Sequence, residues 1–365
     1  MIDLNGITVE DSNAIVGTFN KTFWGSNTNA AIFLNKIGTL RKISGAGLTV
    51  TPGWAGVDLA QNRLPGVATT ERDIHTYKKT VETESLDNSY GMSRDTLKVA
   101  EKFSDVAGEI VAQLSNRWAQ SLHAAAVEVM TANPGGFGIF SAGYDTNTFG
   151  GSALYANSHF GGALDNIAPK TGATAANVTN DFHVAWTQAM GAQNPGTSSY
   201  YWAGVPMSSL DLVIMYPLAM HEVMINVFGA EQFMSTIGGA VFNNPQSNIL
   251  AGTQETIMKK PELIPSPFLT GTDWYIFFTS KSISPSEQAL QFLFNPMVSP
   301  FGQKPEALAK GVPVAIGDNG VGGLFSLGIL GENSEMWHRE NRALVTSKSE
   351  VGCFGCNPFR TVKIA

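Results

Sequence analysis

The sequence predicts a mixed α+β fold in which one long helix crosses a body made largely of strands. Apolar residues recur every three or four positions between Ser93 and Asn133, a period typical of one continuous amphipathic helix. The flanking sequence is rich in Gly, Thr and Asn and contains short runs of strand-forming residues. Because no second segment matches the first in length and periodicity, a helix bundle or coiled coil is the less favoured alternative.

Both ends of this long helix are marked in the sequence. Ser93 can cap the first turn through its side-chain oxygen, and Asp95 places negative charge at the positive end of the helix dipole. Pro134, with Gly135 and Gly136, ends the helix. At about 1.5 Å per residue the helix would be roughly 55 to 60 Å long, so we expect it to lie across an extended body. Its apolar stripe consists of Leu97, Phe103, Val106, Ile110, Leu114, Trp118, Leu122, Ala125 and Val129.

Two alternatives remain open for the N-terminal residues 1–42. The region contains two short mixed segments, Val9 to Phe23 and Asn29 to Leu40, which Gly25-Ser26-Asn27 separates. They could be short helices, or they could form an arm that lies on another subunit.

Residues 43–92 predict a projecting β-hairpin. Glycine and proline punctuate its first half, and polar and strand-forming residues alternate from His75 to Ser85. A two-stranded ribbon with little apolar content is marginal in water, so we expect it to lie on a partner; a flexible surface hairpin is the alternative. Its charges are mixed in sign, as expected if it meets a complementary neighbour. The candidate contacts between subunits are Trp54, Arg63, Arg72, Tyr77, Lys78, Lys79, Glu82 and Glu84.

The second half of the chain predicts shorter helices and strands. A helix is expected from about Asn180 to Met190. A buried strand from Leu210 to Met215 is interrupted at Tyr216-Pro217, and a helix follows from Leu218 to Phe228. Residues 343–345 could belong to a helix or a strand, and further strands are expected at 274–279, 291–294 and 361–364.

The composition indicates a folded protein whose surface meets other molecules. The 365 residues are 43% hydrophobic, which is ample for real cores. Only 15% of the residues are charged, whereas about 25% is typical of globular proteins. An assembly whose faces contact neighbours would have such a composition, although secreted β-rich proteins share it. The net charge of −7 opposes strong nucleic-acid binding, because no block of Lys and Arg is available to neutralise phosphates.

No targeting or membrane segment is expected. The first ten residues lack both the basic start and the apolar core of a secretory signal. The longest apolar run, Leu212 to Met220, is far too short to span a bilayer. The sequence therefore predicts a soluble protein that is made in the cytosol and has no membrane partner.

No residue set predicts catalysis, a cofactor or a metal site. Cys353 and Cys356 form a C-x-x-C close to the C-terminus, where two buried thiols are favoured over a redox pair or a zinc site. Asn157-Ser158-His159 lacks the context of a catalytic nucleophile, and residues 317–323 lack the lysine of a phosphate loop. The histidines show no metal-binding spacing; they are His75, His123, His159, His183, His221 and His338.

Taken in order, these segments resemble a tailed-phage major capsid protein of the Hong Kong 97-like fold, particularly the Mu-like major head subunit. Besides the hairpin and the long helix, residues 153–160 (Ala-Leu-Tyr-Ala-Asn-Ser-His-Phe) are similar to the family's Leu-Phe-x-x-x-His run. Residues 274–280 (Trp-Tyr-Ile-Phe-Phe-Thr-Ser), followed by Ile283 and Pro285, are similar to the Mu-like Trp-Tyr-Leu-x-x-Thr-Ser-x-x-Ile-x-Pro run. Residues 340–344 and the terminal strand resemble the return of the chain into the peripheral domain.

The resemblance implies a particular domain organisation. Residues 1–42 would be an N-terminal arm, 43–92 the extended loop, and 93–178 a peripheral domain with the spine helix at 93–133. An axial domain would follow at 179–330, where Leu212 to Pro217 and the following helix match the family's pattern, and 331–365 would return to the peripheral domain.

The resemblance also implies a function. The chain would be a non-enzymatic shell protein of a virion that forms pentamers and hexamers in the host cytoplasm. Its partners would be copies of itself, scaffolding and portal proteins, and decoration or minor capsid proteins, with weak and non-specific contact to packaged DNA.

Two alternatives stand beside the phage capsid. An encapsulin-like bacterial nanocompartment shares the fold but would need a groove for a cargo peptide. A β-rich carbohydrate-active hydrolase, suggested only by the Gly, Asn and aromatic content, would need two carboxylates facing a cleft. The long helix has no role in such a hydrolase.

Overall fold

The structure is a computed structural model, and it describes residues 9–25, 29–43, 47–50, 79–93, 103–149, 151–162, 164–194, 200–202, 205, 210–229, 261–280, 288–296, 308, 313–317, 323–330 and 342–365. Its helices are α1 (Val9–Phe23), α2 (Asn29–Ile32), α3 (Phe103–Met130), α4 (Ala175–Met190) and α5 (His221–Met224). A π-helical turn (Phe33–Ile37) extends α2, and α5 lies between a 3₁₀ turn (Leu218–Met220) and a π-helical turn (Ile225–Gly229). Another 3₁₀ turn (Pro358–Arg360) precedes the last strand.

The strands in chain order are β1 (Gly38–Lys42), β2 (Gly47–Val50), β3 (Lys79–Glu82), β4 (Glu84–Ser93), β5 (Ile167–Ala168), β6 (Leu210–Pro217), β7 (Glu262–Ser266), β8 (Trp274–Ser280), β9 (Leu290–Asn295), β10 (Val314–Ile316), β11 (Phe325–Leu330), β12 (Arg342–Gly355) and β13 (Thr361–Ile364). This mixture of helices and strands confirms the predicted α+β class.

A six-stranded sheet is built around β12, in the order β1-β9-β12-β11-β10, with β4 also paired to β12. The 14 residues of β12 are long enough to pair antiparallel first with β4 and then with β9. The two ladders overlap only at Glu350 and Val351. Residues 343–345, for which helix and strand were open, are therefore strand.

The long helix α3 lies between this sheet and the N-terminal helices. Its 28 residues correspond to about 42 Å. Trp118 donates its indole N–H to the Ser347 hydroxyl on β12 at 2.8 Å, and the Ser115 hydroxyl donates to the carbonyl of Phe19 in α1 at 3.0 Å. Every residue from 122 to 130 is buried, so the last turns are enclosed on all sides.

The predicted cap of this helix stays a prediction. Ser93 is the last residue of β4 and pairs with Arg342 of β12, and residues 94–102, which follow it, lie outside the described residues. The described helix begins at Phe103, and Asp95 and Leu97 lie outside the described residues. The helix ends at Met130, and Ala132 takes a left-handed φ of 50° before the predicted stop at Pro134.

Residues 9–25 and 29–43 are built into the core of their own chain. Phe19 and Phe23 of α1 are fully buried, and both rings contact Phe325 of β11 with centroids 5.5 and 5.0 Å apart. Helix α1 also packs along α3. Of the two alternatives for this region, the structure shows the helices.

A five-stranded second sheet, ordered β5-β13-β8-β6-β7, separates two apolar cores. Alternate residues of a strand point to opposite faces. Val213, Met215 and Phe277 thus enter the main core beneath α3, whereas Ile214 and Ile276 enter a second core with α4 and α5. The two cores therefore share one wall.

The predicted elements of this half are confirmed with small changes in their bounds. Helix α4 starts at Ala175, before the predicted Asn180, because the Thr174 hydroxyl accepts the amide of Asn177 and caps it. Strand β6 continues through Pro217 before the helical turns begin. Cys353 and Cys356 are buried thiols at the end of β12, as predicted.

Candidate assembly loop and its anchorage

The predicted hairpin is described at its base. Strands β2 and β3 pair antiparallel, with Val50 opposite Lys79. Residues 51–78, which we call the loop segment, therefore leave and re-enter the fold at one paired position. Five predicted contact residues fall in this segment and lie outside the described residues, so they stay predictions: Trp54, Arg63, Arg72, Tyr77 and Lys78.

Lys79 is directed into its own chain. Its side chain is only 6% exposed, and its ammonium group lies 3.3 Å from the Asp145 carboxylate. The ammonium also donates to the carbonyls of Asp145 and Asn147 and lies 5.3 Å from the centre of the Phe354 ring. All three ammonium hydrogens thus find acceptors in residues 145–147, and Lys79 fixes the end of the loop segment to the body.

Burial dominates the electrostatics of Lys79. It lowers the pKa of the ammonium, because the charged form loses hydration, while Asp145 acts in the opposite direction and favours the charge. Burial also raises the pKa of Tyr144 and, well above its ordinary value, that of Cys353. The neutral phenol and thiol beside Lys79 are therefore hydrogen-bonding and packing groups.

Tyr144 connects the hairpin base to β12. Its hydroxyl donates to the carbonyl of Glu82 at 3.0 Å and accepts the amide of Cys353 at 2.9 Å. The close approach requires a glycine at position 352, since a Cβ there would lie 2.5 Å from the carbonyl oxygen of Glu82 and 3.0 Å from the Tyr144 hydroxyl. Val81 is buried in an apolar cluster with Phe354.

The two glutamates near the base differ in environment. Glu82 has an exposed side chain, which leaves it accessible for a contact with another molecule. The Glu84 carboxylate accepts both the amide and the hydroxyl of Ser141, so it anchors the start of β4. The structure thus brings Lys79, Glu82 and Glu84 together at the loop base, where two of the three bind their own chain.

Four residues that hold this base were not predicted from the sequence: Tyr144, Asp145, Ser141 and Gly352. They lie in a Gly-rich loop and in a late strand that are distant in sequence from the hairpin, and no local pattern marks them. A usable signal was present in β3, where Lys79 and Val81 share one face of the strand.

The residues considered for chemistry have structural roles. His159 is buried and lies 3.1 Å from the Asn166 side-chain oxygen, while Ser158 is exposed. Burial lowers the pKa of His159, whose hydrogen bond to Asn166 acts in the opposite direction. Of residues 317–323, Gly317 donates its amide to Asn20 at 3.0 Å, and 318–322 lie outside the described residues.

The part of the chain that the structure describes contains neither a candidate metal site nor a helix that could cross a membrane. Within the ranges given above, no three His, Cys, Asp or Glu side chains are grouped so that they could hold a metal ion. The helices in those ranges include none with the length and apolar character needed to cross a bilayer.

Comparisons with known proteins give matches to solved structures alone. No protein-family model matches the sequence, and no curated protein matches it. The capsid of Ralstonia phage GP4 is 14% identical, with 95% of this chain and 89% of that chain covered and a TM-score of 0.48. The capsid of a native GTA particle is 8% identical, with 90% and 88% covered and a TM-score of 0.48. A virus-like particle from Pyrococcus furiosus is 9% identical, with 98% of both chains covered and a TM-score of 0.45.

Proposed function

We propose that the chain is the major capsid protein of a tailed double-stranded DNA bacteriophage. The observation that carries the proposal is the loop segment, which leaves and re-enters the body at the Val50–Lys79 pair. A buried ammonium and a buried tyrosine hold that base. Such anchorage suits a segment that must keep its direction in order to reach a neighbouring subunit.

Two further features support a role in self-assembly. The long helix α3 is enclosed between α1 and β12, so it stiffens the subunit along about 42 Å. Only 15% of the residues are charged, which suits a surface that is largely covered by copies of itself. The runs at 153–160 and 274–280 add the sequence resemblance, which within the capsid family favours the Mu-like major head subunits.

In this proposal the copies form pentamers and hexamers of a closed icosahedral shell. Rings of this kind need heterologous contacts, in which one surface of a subunit meets a different surface of the next. We assign the loop segment, with Glu82 at its base, to one such contact, and we assign Lys79 to the anchor. The extended-loop assignment for 43–92 and the other domain bounds belong to this proposal.

The proposed partners follow from the shell. Scaffolding and portal proteins would act during assembly in the host cytoplasm, and decoration or minor capsid proteins would join the virion. The genome would be contacted weakly and non-specifically, because the net charge of −7 gives little attraction to phosphates.

The test compares the intact chain with a variant in which residues 52–77 are replaced by a short Gly-Ser linker. The linker keeps the Val50–Lys79 pair and the whole described body. Negative-stain microscopy and sedimentation velocity should show closed particles or capsomers for the intact chain and folded, unassembled subunits for the variant. An intact chain that is monomeric at micromolar concentration would refute the proposal and would favour the hydrolase alternative. Normal particles from the variant would refute the role of the loop segment.

A further inference from the structure

The outer edge of β4 is open along most of its length. Strand β4 has ten residues and pairs with β12 on one side. Among the described residues, β12 provides the only hydrogen-bonding partners of residues 85–91. In an antiparallel strand, half of the backbone N–H and C=O groups point away from the neighbouring strand. The outward groups of residues 85–91 are therefore available to a further strand.

The other edge strands of the two larger sheets carry features that oppose such pairing. Strands β5 and β10 have only two and three residues, and β7 contains Pro265. Strand β1 ends in the exposed cations Arg41 and Lys42. Residues 84–93 contain no Pro, Lys or Arg, and the ladder of β4 with β12 has no bulge. Strand β4 thus lacks these protective features, and an edge of this kind favours pairing with a strand of another chain.

The two faces of β4 also suit an added strand. Leu86, Asn88 and Tyr90 are half-buried on the inner face, where Leu86 and Tyr90 pack against the main core. A strand placed beside β4 would cover the parts of Leu86 and Tyr90 that the core leaves accessible. The residues of the outer face are polar or small and exposed, namely Ser85, Asp87, Ser89 and Gly91.

A second copy of β4 matches the inner face. A two-fold axis perpendicular to the sheet would place two copies antiparallel, with residues of the same face opposite each other. If the axis passes through Asn88, Leu86 of each copy lies opposite Tyr90 of the other. An aromatic ring and an aliphatic side chain form a favourable cross-strand pair, and this register forms the pair twice.

The same register is compatible with the charges of the outer face. Asp87 of each copy lies opposite Ser89 of the other, whose hydroxyl can donate to the carboxylate. Asp87 is the one charged residue within 85–91, and the ladder places Lys348 of β12 opposite it in its own chain. No like charges therefore meet across the axis. An axis through Asp87 itself would bring two carboxylates together.

We propose that two copies of this chain pair through β4 about a two-fold axis at Asn88, so that the sheet around β12 continues from one copy into the other. The contact is separate from the loop segment. It goes beyond the proposed shell function, because two copies can pair in this way whether or not they build a closed shell.

Disulfide trapping of Asn88→Cys tests the register, with Ser85→Cys as the matched control. Directly opposite residues of antiparallel strands have Cα atoms about 4.5 or 5.5 Å apart, which suits a disulfide. In the proposed register Asn88 lies opposite itself, whereas Ser85 lies opposite Gly91, so the two Ser85 positions are about 20 Å apart along the strands.

In a glutathione redox buffer, Asn88→Cys should give disulfide-linked dimers on a non-reducing gel, and Ser85→Cys should not. The native thiols Cys353 and Cys356 are buried, so they should contribute little background. Dimers from both variants, or from neither, would overturn the proposed register.

A charge at position 89 gives a second measurement. Ser89→Asp and Ser85→Asp each add a carboxylate to the exposed face, two positions from Asp87. Only Ser89→Asp places it opposite Asp87 of the second copy, and it does so twice. In the Asn88→Cys background, Ser89→Asp should lower the yield of disulfide dimers about fivefold, while Ser85→Asp should have little effect. Equal yields from the two variants would contradict the register.

The results separate this inference from the shell function. If Asn88→Cys forms particles without a disulfide at position 88, the inference fails and the shell function stands. If it forms the disulfide dimer while the intact chain forms no particles, the inference stands and the shell function fails.

Discussion

Replacing Gly352 by alanine tests whether the loop base is fixed by close packing on β12. The added Cβ would lie 2.5 Å from the backbone oxygen of Glu82, about 1 Å inside ordinary van der Waals contact. The added Cβ is attached to the backbone of β12, and the oxygen of Glu82 belongs to the backbone of β3. Strand β3 must therefore move as a unit to relieve the clash. Overpacking of this kind costs about 2 kcal/mol, and weakening the Tyr144 hydrogen bonds adds about 1 kcal/mol.

Gly143→Ala is the matched control for this substitution. A Cβ at Gly143 meets nothing within 4 Å. Both alanines reduce the entropy of the unfolded chain to a similar extent, so the difference between the two variants isolates the steric clash. For 365 residues, an unfolding entropy of about 2.1 cal/mol/K per residue converts 2 to 3 kcal/mol into a midpoint difference of about 3 to 4 °C.

Differential scanning fluorimetry of both variants at one protein concentration measures this difference. Hydrogen exchange at Thr80 and Val81 should also be faster in Gly352→Ala, because β3 is displaced from β12. Equal midpoints for the two variants would contradict the close approach of Glu82 to β12, and with it the anchorage of the loop segment.

Three further predictions concern the core. Burial lowers the pKa of His123 to about 4, whereas its pKa in the unfolded chain is about 6.5. The free energy of unfolding should therefore fall by about 3 kcal/mol in total as the pH drops from about 6.5 to about 4. His123→Gln should flatten that dependence in urea titrations at each pH. Glu128→Ala should lower the free energy of unfolding by about 3 kcal/mol, because three amides lose their acceptor; an unchanged urea midpoint would contradict this. Trp118→Asp should make the chain insoluble, because it buries an unpaired charge. The control variant Asn116→Asp should stay soluble. A soluble, folded Trp118→Asp variant would refute the enclosure of α3.

The long helix was the most predictable part of the fold, because its signal is local. The described part of the stripe faces the core, with Leu114, Trp118 and Leu122 each buried. The strand pairing of Ser93 was not predictable by the same means. A serine followed by an acidic residue is a local cap signal, whereas the ladder that places Ser93 opposite Arg342 of β12 depends on distant sequence.

The environment of Lys79 could not be predicted from the sequence. Lys79 was assigned to a subunit contact because the hairpin charges are mixed in sign. The acceptors that bury its ammonium come from Asp145 and Asn147, more than sixty residues later in the chain. Such placement is tertiary information, which neither composition nor periodicity contains.

The second sheet has a mechanical consequence for any wall that copies of this chain would build. Its strands direct alternate side chains into the two cores, so moving one core relative to the other would expose apolar side chains of both. Each square ångström of apolar surface that becomes exposed to water costs about 25 cal/mol. Bending of such an assembly should therefore occur at the interfaces between subunits, and each subunit should move as a rigid body.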